Sequence, residues 1–146
     1  LDAEIARRAK ENDVARRLMT VPGIGPLIAT AIAVLAPPPE TFRKARDFAA
    51  WLGLVPRQHS TGGKQRLGAT TRMGERSLRR LLIIGANSVV IKRNVHKEAQ
   101  PGTWLGSLLL RKPSMLVRVA LANKMARIVW ALMARGGIYQ SPTAAA

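Results

Sequence analysis

The sequence contains no cysteine. Disulfide staples and thiolate metal sites are therefore excluded, and a reducing compartment suits the chain. Aromatic residues are scarce: three Trp, two Phe and one Tyr. Leu, Ile, Val, Ala and Met are left to build the core, a composition that favours packed helices. Long apolar runs are missing too. The longest, residues 81–91, has 11 residues and is interrupted by Gly85, Asn87 and Ser88, too short to span a bilayer. A membrane surface is also disfavoured as partner, because no basic amphipathic helix carries Trp or Phe on its other face. The last shortage is of acid. Eight Asp and Glu stand against 24 Lys and Arg, a net charge of +16.

That deficit is concentrated. Residues 1–47 hold eight Lys/Arg against six Asp/Glu, whereas residues 48–146 hold sixteen against two, Glu75 and Glu98. A solvated surface ordinarily mixes both signs. Self-repulsion of this size is tolerated where the usual partner is a polyanion, and nucleic acid is the first candidate.

What is present suffices for one domain: 146 residues, 47% of them hydrophobic. Periodicity predicts an all-α fold. Residues 2–19 read as one charged helix with sparse apolar positions at Ile5, Val14 and Leu18. Since the chain opens on Leu1, residues 1–17 read as the end of a preceding helical or coiled-coil segment of a longer protein. A domain over residues 18–139 and a tail over 140–146 follow. A turn over residues 21–25 leads to Pro26, well suited to the first position of a helix. Leu27, Ile28, Ala31, Val34 and Leu35 give that helix one apolar face, and Pro37, Pro38 and Pro39 stop it.

"RKARDFAAWLG" reads as a short helix closed by Gly53. Residues 57–68 read as a short β-hairpin or loop folding at Gly62 and Gly63. Residues 75–93 form a helix with Leu78, Leu81, Leu82, Gly85 and Val89 inward. Arg72, Arg76 and Arg79 share another face if that helix begins early. "PGTWLGSLLLRK" gives one more short helix. Pro113 opens the last, which runs to about Arg135 and stops at Gly136 and Gly137. Its apolar residues cover two faces (Val117, Leu121, Ile128, Leu132; Leu116, Val119, Ala120, Trp130, Met133), so it is central.

One stretch gathers unusual chemistry. "RQHSTGGKQRLGATTRMG", residues 57–74, holds Arg57, Lys64, Arg66 and Arg72, together with His59, Ser60 and Thr61, and no carboxylate. A P-loop is ruled out, because Gln58 stands where the first glycine is needed and no Ser or Thr follows Lys64. A Ser-His-Asp triad fails because His59 and Ser60 are neighbours, pointing to opposite faces of an extended strand. His96 has only Glu98 near it and reads as a solvated surface cluster. Acids are too few, and the two His too far apart, for a metal site. Two readings of the stretch remain open. A hydroxyl among cations can attack a phosphodiester while Arg57, Lys64, Arg66, Arg72, Arg76 and Arg79 stabilise the developing charge. Alternatively the loop only grips phosphates.

A second pattern lies at Leu18–Ile32. "VPGIGPLIATAI" follows the helix-hairpin-helix consensus, apolar-Pro-Gly-apolar-Gly followed by Ala four residues later. Gly23 and Gly25 allow close backbone approach to another surface, and the free N–H groups that open the second helix can hold a phosphate oxygen. This marks Gly23 and Gly25 as candidate phosphate-binding positions.

Taken together, "VPGIGPLIATAIAVL", "LGLVPRQHSTGGKQRLG", "RMGERSLRRLLIIGA" and "VALANKMARIVWALMARG", in that order over residues 18–139, resemble the C-terminal transposase domain of the IS-one-ten/IS-eleven-eleven insertion-sequence family. The resemblance implies a DNA transposase or recombinase of a mobile element, guided by a structured RNA and assembled as a homo-oligomer. It implies an N-terminal RuvC-like domain with an Asp-Glu-Asp-Asp site for Mg2+. It also implies a serine in this domain that links covalently to DNA. That serine maps to Ser60, with Thr61 the alternative, since Thr61 directly precedes the glycine pair. Where relatives have Lys-x-Gly, this chain has Arg72-Met73-Gly74, which exchanges a point charge for a fork.

The expected location is the bacterial or archaeal cytoplasm, at the nucleoid. Without the metal-binding domain, this stretch of chain is expected to bind nucleic acid in a steeply salt-dependent way and not to catalyse, with no cofactor of its own. The competing readings are a non-catalytic helix-hairpin-helix module that holds nucleic-acid backbone, and a basic scaffold on structured RNA.

Overall fold

Proline, glycine and asparagine set the ends of the helices. The computed structural model describes residues 1–54 and 72–141, with the backbone alone of residues 72–74. Among these residues the fold is all-α, with no strand: α1 (Asp2–Glu11), α2 (Asp13–Leu18), α3 (Pro26–Leu35), α4 (Ala45–Trp51), α5 (Arg72–Ile91), α6 (Trp104–Arg111) and α7 (Ser114–Arg135). Short 3-10 turns lie at Pro39–Thr41 and Lys97–Ala99. The predicted β-hairpin or loop at 57–68 falls outside the described residues.

Pro26 occupies the first turn of α3, where its missing N–H is not needed. Gly53 ends α4 with φ +76°. Its N–H donates to the Ala50 carbonyl at 2.9 Å, and the Leu54 N–H donates to Ala49 at 3.0 Å. This paired arrangement is a Schellman closure, for which glycine is the favoured residue. The Thr103 hydroxyl caps α6 by accepting from the Gly106 N–H at 3.0 Å.

Three expectations are corrected. Residues 2–19 are not one helix. Asn12 is extended (φ −88°, ψ 121°) and its Oδ1 accepts from the Ala15 N–H at 2.9 Å. An Asn side chain that can cap a new helix competes with continuing the old one. The break lets Ala9, Ala15 and Leu18 sink into the core, with α1 and α2 both packed on α3. The core is also less purely aliphatic than composition suggested. Phe42, Phe48 and Trp51 form a buried cluster with ring centres 5.4 to 6.0 Å apart, and buried Trp130 donates from Nε1 to the Pro39 carbonyl at 3.0 Å. Finally, Glu98 is not part of a solvated cluster. It is half-buried, and its Oε2 accepts from the Tyr139 hydroxyl at 3.2 Å and from the Ser141 hydroxyl at 2.9 Å. The Tyr139 N–H donates to Thr20 Oγ1 at 2.9 Å, so residues 136–141 return along the molecule as a strap.

Helices α5 and α7 form the central pair, with α4 on α7 and α3 on α5. α5 begins at Arg72, earlier than residue 75, and buries Leu78, Leu82 and Val89 as its periodicity predicts. α7 is covered on both faces only in its later turns: Trp130 is buried, whereas Leu116 and Val119 are exposed. The Asn123 side chain ties α7 to the end of α4 by donating to the Leu54 carbonyl at 3.1 Å.

The contact between the 21–25 turn and α5 explains a glycine in the middle of a 20-residue helix. A Cβ on Gly85 would lie 2.5 Å from the Gly23 carbonyl oxygen, and a Cβ on Gly23 would lie 2.7 Å from that of Gly85. Gly23 also has φ +90°. Mid-helix glycine costs about 1 kcal/mol relative to alanine. Here it is what allows the turn to rest on the helix backbone.

Candidate nucleic-acid interface

The N-terminal half of α5 carries the described part of the predicted site. Arg76, Arg79 and Arg80 line a groove of about 290 Å³ together with Ile83 and Ile84. None of the three guanidinium groups forms an ion pair or hydrogen bond among the described residues. The carboxylate on the same helix, Glu75, is no exception: it bridges none of them. Every ion pair among the described residues lies instead between Glu4 and Arg17, in α1 and α2. Guanidinium groups held on a rigid helix without counter-charges form a site for an anion with several oxygens.

Arg79 is the inner member of the set. A Cβ on Gly53 would stand 2.7 Å from its Nη1, so the side chain lies against the closure of α4. That closure is the root of the segment bearing Ser60. Arg76 and Arg80 are exposed, one helical turn apart. Sequence reading missed Arg80. The signal was its four-residue spacing from Arg76, which puts both on one helix face.

The other predicted positions are distributed as follows. Arg57, Ser60, Thr61, Lys64 and Arg66 fall outside the described residues. Arg72 is the first residue of α5, and its side chain is likewise not described. Gly23 and Gly25 lie in the turn before α3. Around Gly25 the space is open: a Cβ there would meet nothing within 4 Å, and no side chain caps the start of α3. Gly23 is different, because the surface it approaches closely is α5 itself.

Arg76 and Gly85 are nine residues apart, two and a half helical turns, and so face opposite ways. The hairpin turn and the arginine groove therefore sit on opposite sides of α5 and do not merge into one patch. Among the described residues no group of His, Asp and Glu comes together as a metal site, and no helix is long and apolar enough to cross a membrane.

This layout can be set beside known proteins. Residues 15–100 match the model of the Transposase IS116/IS110/IS902 family. The chain belongs to that family. The match runs from α2 through the hairpin turn, α4 and α5 to the 3-10 turn at Lys97–Ala99, and so includes the arginine groove. Relatives extend the likeness over α6 and α7. The chain is 49% identical over 140 residues to a probable family 20 transposase of Pseudomonas aeruginosa, covering 96% of this chain and 41% of the relative. It is 37% identical over 139 residues to the transposase for insertion sequence element IS1328 of Yersinia enterocolitica, covering 95% and 41%. To the transposase for insertion sequence element IS1111A of Coxiella burnetii it is 36% identical over 139 residues, covering 95% and 38%. The chain thus spans about two-fifths of the length of the curated relatives it matches. No solved structure matches it.

Proposed function

We propose that this chain is the DNA-binding, nucleophile-bearing part of an insertion-sequence transposase, and that the full-length protein cuts and rejoins DNA through a phosphoserine intermediate. The observation that carries the reading is the set Arg76, Arg79 and Arg80 on α5, unpaired among the described residues, in a chain of this family. These guanidinium groups hold non-bridging phosphate oxygens. Ser60, on the segment rooted beside Arg79, is the nucleophile, with Thr61 the alternative. Arg57, Lys64, Arg66 and Arg72 add to the cationic surround.

In the attack, the serine oxygen forms a bond to phosphorus, the bridging ester oxygen leaves with a proton, and the new phosphoserine ester retains the energy needed for rejoining. A serine hydroxyl does not lose its proton unaided at neutral pH. The RuvC-like domain, with Mg2+, is the proposed source of activation. The turn at Gly23 and Gly25 is read as a helix-hairpin-helix whose open side at Gly25 offers N–H groups to backbone phosphate. A structured guide RNA and further copies of the protein are the proposed partners, at the nucleoid.

The test is covalency. Full-length protein is incubated with its element's DNA and RNA and run on a denaturing gel. A protein–DNA adduct is expected, lost in Ser60→Ala. Loss only in Thr61→Ala moves the nucleophile to Thr61. Absence of any adduct from the wild-type protein, with DNA binding retained, leaves a non-catalytic module that holds backbone.

A further inference from the structure

A second concavity lies away from the arginine groove. It is a half-open cavity of about 350 Å³ lined by the hairpin turn, α5, the start of α6, α7 and the strap. Its walls are aliphatic: Val89, Leu105, Leu121, Met125, Ile128 and Leu132. Sites for small molecules have this size and character, with a few placed polar groups that orient the ligand.

Most polar groups on this lining are already committed. Thr103 Oγ1 has the carbonyls of Glu98 and Gln100 within reach of its single proton and accepts from the Gly106 N–H. The Glu98 carboxylate holds the hydroxyls of Tyr139 and Ser141. Gln140 is exposed at the rim. Lys124 is different. Among the described residues its ammonium has no ion pair and no hydrogen bond, not even with Glu98 on the same lining, and it stands 4.3 Å from the centre of the Trp104 ring. Burial, and after it the charge of Arg127, hold its pKa below the ordinary lysine value. The Trp104 ring face gives this half-buried cation a cation–π contact, but beside a second cation and with no ion pair it still lacks a counter-anion, which a bound anion would supply.

We propose that this cavity binds a small apolar anion, an aliphatic chain ending in one carboxylate, with the chain among Leu121, Met125 and Ile128 and the carboxylate on Lys124. An aliphatic body fits better than a nucleobase or a peptide. The edges of a base, or the N–H and C=O groups of a peptide, would lose water against walls that offer few free partners beyond Lys124 and, at the rim, Gln140. A hydrocarbon chain has no such groups and gains from burial. The carboxylate then supplies the charge-assisted hydrogen bond that Lys124 lacks. None of the arginine-groove residues lines this site, although the hairpin turn contributes Val21 and Pro22 to it.

The test titrates dodecanoate, dodecanol and acetate into the 146-residue chain by calorimetry, while the methyl resonance of Met125 is followed by NMR. One dodecanoate per chain is expected to bind and shift the Met125 methyl, and acetate is expected not to bind. Lys124→Met weakens dodecanoate about tenfold or more and leaves dodecanol unchanged. Lys112→Met, at an exposed cation, has no effect. The proposal is overturned if Lys124→Met binds dodecanoate as tightly as wild type. Several dodecanoates adsorbing to the basic surface with the Met125 methyl unmoved would also overturn it, and that readout needs no variant to fold.

Discussion

In α1 and α2, Arg7 and Arg8 reach Glu4, Arg7 also reaches Glu11, and Arg16 and Arg17 reach Asp13, all within 3.1 Å. In α5, Arg76, Arg79 and Arg80 reach no carboxylate, although Glu75 is on the same helix. The first region uses its charges to satisfy itself, at the i,i+3 and i,i+4 spacings that stabilise a helix by a few tenths of a kcal/mol per pair. The second keeps its charges unspent and lines a groove with them. Net charge separates the two regions only in sum, five cations against four acids in α1 and α2 and four against one in α5. The finer separation shows in which cations have partners among the described residues, and it is why α5 rather than α1 is the proposed face for a polyanion.

The largest expected effect comes from breaking the joint between α5 and the turn that follows α2. Gly85→Val places a side chain where the Gly23 carbonyl lies 2.5 Å from the Cβ position. Relief requires backbone movement, and a loss of about 3 kcal/mol in chemical denaturation is expected. A variant of wild-type stability would show that turn and helix are not in contact. Next in size, Ile84→Glu puts a carboxylate into the groove itself, four residues from Arg80, whereas Glu75, although four residues from Arg79, makes no ion pair with it. Ile84 is 53% exposed, so the fold should persist. DNA affinity should drop on the order of tenfold through like-charge repulsion with phosphate. Smaller still, Arg7→Ala with Arg16→Ala should leave DNA affinity unchanged at physiological salt, where charges beyond about 8 Å are screened. The same pair should lower Tm slightly, and a marked affinity loss would blur the contrast.

The smallest effect concerns the strap. Tyr139 is the one tyrosine of the sequence, so its ionisation can be read by ultraviolet absorbance. Burial, and then the Glu98 carboxylate, push its pKa from 10.0 to about 12. The protonated phenol is thus favoured in the folded chain. The stability it contributes is complete below pH 10 and is lost as pH rises from about 10 to about 12. Glu98→Gln should lower the midpoint only part of the way towards 10, because burial remains. A wild-type midpoint at 10 would show that the strap is open.

Much of the fold was legible because its punctuation is local. Pro26, Gly53, Pro113 and Gly136 act within one turn of where they stand, and the inward set Leu78, Leu82 and Val89 follows from period alone. Asn12 was legible in principle as a cap, but in a charged helix an Asn looks ordinary until its side chain is seen to accept from Ala15. The roles of Gly85 and Glu98 were not legible. Gly85 meets a turn some sixty residues earlier in the chain, and Glu98 is held by residues 41 and 43 positions away. No local pattern carries such pairings. Of the candidate site, Arg76 and Arg79 were read correctly as sharing a surface, Arg80 was overlooked, and the opposite placement of the hairpin turn could be seen only once α5 was built.

The central claim is that Arg76, Arg79 and Arg80, unpartnered among the described residues, neutralise DNA phosphates. It is tested most directly by the salt dependence of DNA binding in wild type and in the Arg76→Ala, Arg79→Ala, Arg80→Ala triple variant. If each guanidinium displaces one condensed counterion, the slope of log affinity against log salt should shrink by about 2.7 in the variant. An unchanged slope, in a variant whose helicity matches wild type, would contradict it.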